Sequence, residues 1–142
     1  MQFFIARLSL LLMMLCGLFF AGCGASSDQR AVIEQFIASV ERDRTGVLSN
    51  FKGIYADYRA YQQPDEAAVV VETIYTAGMP TTTGDSSKLK SELIEEYSRK
   101  SDMRAVLDAG VDIISRYKKP DGSIHEEARI TAADLPAVSL AP

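Results

Sequence analysis

Apolar and polar positions along the 142-residue chain mark out six amphipathic stretches behind one that is almost wholly apolar. Val32, Ile33, Phe36, Ile37 and Val40 recur at helical spacing and predict a core-facing helix from about Asp28 to Arg44. Ser26 and Gln29 have the spacing of a capping box, and Gly46 offers a stop. Residues 51–62 fit two periods. Phe51, Ile54, Tyr55, Tyr58 and Tyr61 make a helical stripe, while Ile54, Ala56, Tyr58 and Ala60 line one face of a strand. Gly53 and the aromatic content favour the strand, with Tyr55 and Tyr61 on the face opposite Tyr58. Gln63-Pro64-Asp65-Glu66 is a turn, and Ala68 to Thr76, rich in β-branched residues, is a strand.

Gly78 to Ser86 is rich in turn formers and predicts a loop. A second helix is expected from about Ser87 to Asp108, capped by Asp85 or Ser86 and stopped by Gly110. Its apolar stripe (Leu89, Leu93, Tyr97, Met103, Leu107) also carries Glu96, Lys100 and Arg104. Either Glu96 pairs with Lys100 beyond the sheet edge, or the helix breaks near Ser101-Asp102; one continuous helix is the expectation. Val111 to Ile130 predicts a hairpin around Lys119-Pro120-Asp121-Gly122. A four-residue loop would pair Lys118 with Ser123, setting Val111 against Ile130, Ile113 against Ala128 and Tyr117 against Ile124. On the other face, Asp112 would oppose Arg129 and Arg116 would oppose His125. Residues 132–142 contain two prolines and little periodicity, as in a tail. The order α-β-β-α-β-β predicts one α+β domain over residues 28–131. It has an antiparallel sheet of three to four strands with two helices on one face.

The apolar run from Leu8 to Phe20 is preceded by Arg7, the only charge in residues 1–22. Thirteen residues rise about 20 Å as a helix, short of a ~30 Å hydrocarbon core, so the run has the layout of a secretory signal. It ends in Leu18-Phe19-Phe20-Ala21-Gly22-Cys23, which resembles the lipobox of bacterial lipoproteins. Ala21 and Gly22 are the small residues of that pattern, and Phe20 stands where Leu is usual. The resemblance implies a signal peptide over 1–22, cleavage before Cys23, acylation of Cys23, and a lipidated tether over 23–27. A cut near Ala25 by a general signal peptidase, or retention as an anchor, are the alternatives. Gly24 follows the cysteine where an Asp would favour inner-membrane retention, so a Gram-negative cell would place the protein on the outer membrane facing the periplasm. The order of elements and the Asp-Gly hairpin are also similar to small uncharacterised bacterial lipoproteins, which lend no activity.

Cleavage would leave 120 residues, Cys23 to Pro142, with no thiol besides Cys23 and a formal charge of −5 in place of −4. That excludes disulfides and thiol chemistry and makes a poor nucleic-acid binder. The expected partners are the lipid bilayer, through acylated Cys23, and an envelope protein.

Little in the rest of the chain suggests catalysis. His125 is the only histidine, which rules out His triads and multi-His metal sites. Asp112, His125 and Glu127 share the expected outer hairpin face, but they alternate with Arg116 and Arg129, which repel cations. The doublets Glu95-Glu96 and Glu126-Glu127 diverge around a helix or across a strand, so neither makes an acid/base pair. Ser86, Ser87 and Ser91 have no base nearby in sequence, and no Gly-rich phosphate loop is present. The expectation is a non-catalytic accessory or protein-interaction module with no catalytic residues, metal or cofactor. Its interaction surface is expected among Tyr55, Tyr61, Arg116, His125 and Arg129. A small carboxylate-dependent hydrolase and a small-ligand carrier are the competing readings.

Overall fold

A computed structural model of the protein describes residues 24–77 and 86–136. The signal segment, Cys23, most of the Gly78–Ser86 loop and the end of the expected tail lie outside them.

The first helix, α1 (Ser27–Asn50), starts as expected. The Ser26 hydroxyl accepts from the Gln29 backbone N–H at 3.3 Å, and the Gln29 side chain accepts from the Ser26 N–H at 2.9 Å. Ile33, Phe36 and Val40 are its buried stripe. The helix does not stop at Gly46 but runs on to Asn50, because Val47 continues the stripe one heptad after Val40. A glycine inside a helix costs only about 1 kcal/mol, less than the added packing returns. The chain then turns through Gly53, at φ +84°, into β1 (Tyr55–Gln62). Residues 51–62 are thus a turn followed by a strand, as the aromatic content favoured.

β1 pairs antiparallel with β2 (Ala68–Tyr75). The expected second helix is two helices, α2 (Ser86–Arg99) and α3 (Ser101–Asp108), broken at Lys100 with φ −97° and ψ 115°. The break rephases the apolar stripe. Leu93 and Tyr97 bury one face of α2, and Met103, Val106 and Leu107 bury one face of α3. A continuous helix would have turned Arg104 inward. Glu96 nevertheless pairs with Lys100 at the break. Gly110, at φ +74°, ends α3 as expected.

The α+β class holds, with a four-stranded sheet in the order β1-β2-β3-β4, where β3 is Asp112–Lys118 and β4 is Ile124–Ile130. The sheet is mixed rather than antiparallel: Ala68 lies beside Asp112 and Ile74 beside Lys118, so β2 and β3 are parallel. The connection between them carries α2 and α3 and works as a crossover, returning the chain to the end where β2 began.

The hairpin register also differs. Pro120, Asp121 and Gly122 form a three-residue loop: the Gly122 N–H donates to Lys119 O, the Lys119 N–H donates to Ser123 O, and Gly122 sits at φ +84°. A type I turn followed by a left-handed glycine is the usual three-residue solution. Beyond it, His125 is an extra residue between the Lys118–Ile124 and Tyr117–Glu126 pairs. Ile113 therefore opposes Ile130, Ser115 opposes Ala128, and Arg116 opposes Glu127. From Glu126 to Ile130 the shift is by two residues, so those faces survive; Ile124, expected opposite Tyr117 on the apolar face, instead lies opposite Lys118 and is exposed.

One sheet face (Val69, Val71, Ile113, Ala128, Ile130) packs with the buried residues of all three helices into the main core. The other face carries a small cluster of Ala68, Val70 and Ile114 against Tyr61. After β4 the chain makes a 3-10 turn, Ala132–Asp134, held by Lys90 to Asp134 at 2.8 Å, and Leu135 is buried.

Candidate functional site

The helix-side core opens at the end of the sheet where α1 finishes, β1 starts and β2 ends. A β-bulge at Ala56 moves Tyr55 opposite Tyr75 while Asp57 opposes Ile74. The extra residue reverses the alternation, so Tyr55 joins Tyr58 on the helix side and Tyr61 points to the other face. Tyr55 and Tyr61 therefore do not share a face, contrary to simple alternation.

With Tyr55 turned inward, a ladder of rings forms. Phe51 lies 4.9 Å from Tyr55 between centroids, Tyr55 5.8 Å from Tyr75, and Tyr75 5.8 Å from Tyr117. His125 presents its ring to the edge of Tyr75 at 6.4 Å, so the bulge turns it toward this end and away from its expected place opposite Arg116. Phe51, Tyr55 and Tyr117 of the ladder line a cleft of about 230 Å³, together with Val47, Tyr58, Leu93, Tyr97 and Met103. On the cleft wall, the hydroxyls of Tyr97 and Ser115 hydrogen-bond at 2.5 Å.

Burial raises the phenol of Tyr58 to about 12, helped by the carboxylates of Glu96, Asp43 and Asp102. Burial likewise raises those of Tyr55, Tyr75, Tyr97 and Tyr117. All five stay neutral near pH 7, so the cleft presents apolar walls with hydroxyl tips. Its two charged lining residues, Glu96 and Lys100, are bound to each other. The exposed large hydrophobic residues among those described are Phe51 at 43%, Ile54 at 36% and Ile124 at 54%. All three lie at this end of the domain, next to the start of β1 or of β4.

The opposite sheet face is built from charge. Glu72 is fully buried, yet its carboxyl accepts from Arg59 at 2.5 Å, Lys118 at 2.8 Å and the Tyr61 hydroxyl at 3.1 Å. Burial alone would raise its pKa; the bonds to Lys118, Arg59 and Tyr61 outweigh that and hold it below the usual value. Arg116 donates to Tyr61 at 2.9 Å and to Glu127 at 2.6 Å. Arg129 lies opposite Ile114 and not opposite Asp112 as expected, yet it reaches Asp112 at 3.1 Å and Glu66 at 2.6 Å.

The expected interaction residues thus divide. Tyr61, Arg116 and Arg129 belong to the paired network on the outer face, whereas Tyr55 and His125 belong to the aromatic end. Phe51, Tyr75 and Tyr117 were absent from the expected surface. Each stands at, or one residue from, the end of α1, β2 or β3, and that these ends meet is visible only once the parallel pairing is known. Among the described residues no cluster of three or more His, Cys, Asp or Glu has metal-binding geometry, and no helix is long and apolar enough to cross a membrane.

No family model and no curated protein matches the chain. Two solved structures are similar to it. One is the type II secretion system pilotin AspS from Vibrio cholerae, at 15% identity and a TM-score of 0.46, covering 75% of this chain and 94% of that one. The other is the type 2 secretion system pilotin EpsS from Vibrio vulnificus, at 22% identity and a TM-score of 0.42, covering 75% of this chain and 96% of that one.

Proposed function

We propose that the chain is an exported bacterial lipoprotein, held on a membrane through acylated Cys23, whose domain is a non-catalytic accessory module for an envelope protein. In a Gram-negative envelope its place is the outer membrane, facing the periplasm. The anchor is supported by the lipobox at Ala21-Gly22-Cys23. The module is supported by one observation: the exposed large hydrophobics and the ring ladder Phe51–Tyr55–Tyr75–Tyr117 converge at a single open end. Aromatic rings around a partly dry recess are the usual receivers of a partner's anchor side chains. At about 230 Å³ the cleft suits one or two such side chains and falls below the roughly 300–1,000 Å³ of small-molecule sites, which disfavours a ligand carrier. A hydrolase would need a carboxylate available to a substrate, and Glu96 is already bound to Lys100.

The test is co-purification from detergent-solubilised membranes with the intact lipoprotein as bait. A partner protein retained by the wild type and by Tyr61→Phe, and lost from Phe51→Ala and Tyr55→Ala, is the expected result. A partner held equally by all four removes the cleft from the account. A type II secretion component is one identity that this experiment would read directly.

A further inference from the structure

The tether expected over residues 23–27 is mostly not a tether. Ala25 is buried in the main core, at 4% exposure. Its carbonyl accepts from the Arg30 Nε at 3.1 Å. Ser26 is the cap of α1, locked on both sides by its exchange with Gln29. The Gln29 amide then donates to the carbonyls of Ala109, at 3.2 Å, and Gly110, at 3.0 Å, which fastens the start of α1 to the end of α3. Only Gly24 stands free, exposed and with no atom within 4 Å of where a side chain would begin. Two residues from Ala25 to Cys23 reach at most about 7 Å.

The two ends of the domain differ in chemistry. Around Ala25 lie the start of α1, the α3–β3 turn and the β1–β2 turn, whose Ala67 carbonyl accepts from the Asp112 N–H at 3.0 Å. Asp28, Asp65 and Asp108 are exposed there, and none of the exposed large hydrophobics is. Such an end has no apolar surface to insert among acyl chains. The flank of α1 offers lipid nothing either, because its exposed positions include Glu34, Glu41, Arg42 and Asp43. The apolar end begins at Phe51, beyond the 24 residues of α1, which span about 36 Å.

We infer that the domain stands end-on, with the Ala25–Gly110 end against the headgroup layer and the aromatic cleft held about 36 Å out in the aqueous compartment. This rests on acylation of Cys23 as proposed above. The short leash fixes which end meets the bilayer, and the charged flank of α1 gives no apolar surface along which the domain would lie down. The partner's docking segment is therefore soluble and off the membrane, and not an element at the bilayer surface.

The experiment uses the full-length acylated protein in phosphatidylethanolamine–phosphatidylglycerol vesicles containing a headgroup-attached nitroxide quencher. Cysteines are placed singly at Asp108→Cys and Asn50→Cys and carry an environment-sensitive fluorophore; Cys23, once acylated, does not react. The Asp108 label is expected to lose its emission and the Asn50 label to keep it. Insertion of a ten-residue Gly-Ser segment after Gly24 is expected to restore the Asp108 emission. Equal quenching of both labels would mean a domain lying flat, and no quenching of either would mean one standing free; each overturns the inference. Retained Asp108 quenching after the insertion overturns it too, because the short leash is then not the cause. Acylation is read on the same sample by mass. A mass showing that the membrane-purified protein carries no acyl chain on Cys23 refutes the lipoprotein reading itself, and the inference falls with it.

Discussion

Tyr75 stacks on Tyr117 with ring centroids 5.8 Å apart and planes 19° apart, and no local rule of sequence brings them together. Tyr117 lies beside Thr73 in a parallel pair, and Tyr75 is two residues farther along β2, the next side chain on the same face. The α2–α3 crossover creates that pairing, and the ladder exists only because the sheet is mixed.

If the ladder is a receiver for a partner, its outermost ring is the one to remove. Phe51 is 43% exposed, so Phe51→Ala is expected to change stability by about 1 kcal/mol or less while lowering partner recovery severalfold. Thermal melts and quantitative pull-down of the same variant check this. A melt that collapses would make Phe51 a structural residue and not a docking one.

Phe36 behaves oppositely. It is buried in the α1 stripe at 3% exposure, within the main core. Phe36→Ala is expected to cost about 3–5 kcal/mol in denaturant unfolding. A loss under about 1 kcal/mol would mean that α1 does not pack on the sheet as described.

This stripe was legible in the sequence because helical periodicity reports burial directly. The hairpin faces from Glu126 to Ile130 were legible for the same reason. What was not legible had non-local or single-residue causes. Charges on the stripe raised a break near Ser101-Asp102 as the alternative; that the helix does break, at Lys100, depends on where Met103 and Leu107 must land in a core shared with β3 and β4. The bulges at Ala56 and His125 each turn a side chain to the other face, and alternation carries no mark of them. The burial of Glu72 rests on Arg59, Tyr61 and Lys118 from both neighbouring strands, which strand alternation does not show.

Glu72 gives a prediction in pH. Its carboxyl pKa is held below the usual 4.5, so the charged form is favoured by folding. The stabilisation is fully present above the unfolded value and is lost as pH falls through the lower folded value. The melting temperature of wild type is expected to exceed that of Glu72→Gln at neutral pH, with the gap closing below about pH 4.5. A gap that stays constant down to the acid limit would show that the carboxylate charge is not what the network uses.

Cys23→Ser is expected to abolish incorporation of a fatty-acid probe and to block cleavage of the signal segment, giving a slower-migrating precursor on a gel. A variant that is still labelled and still matures would remove the anchor from the account.

The aromatic end, and not the charged outer face, is expected to meet the partner. The most direct measurement is site-specific photocrosslinking in cells, with the crosslinking residue placed at Phe51 in one strain and at Arg129 in another. A discrete adduct to one envelope protein from position 51, and none from position 129, is the predicted result. The same adduct from position 129 and none from position 51 would contradict the account.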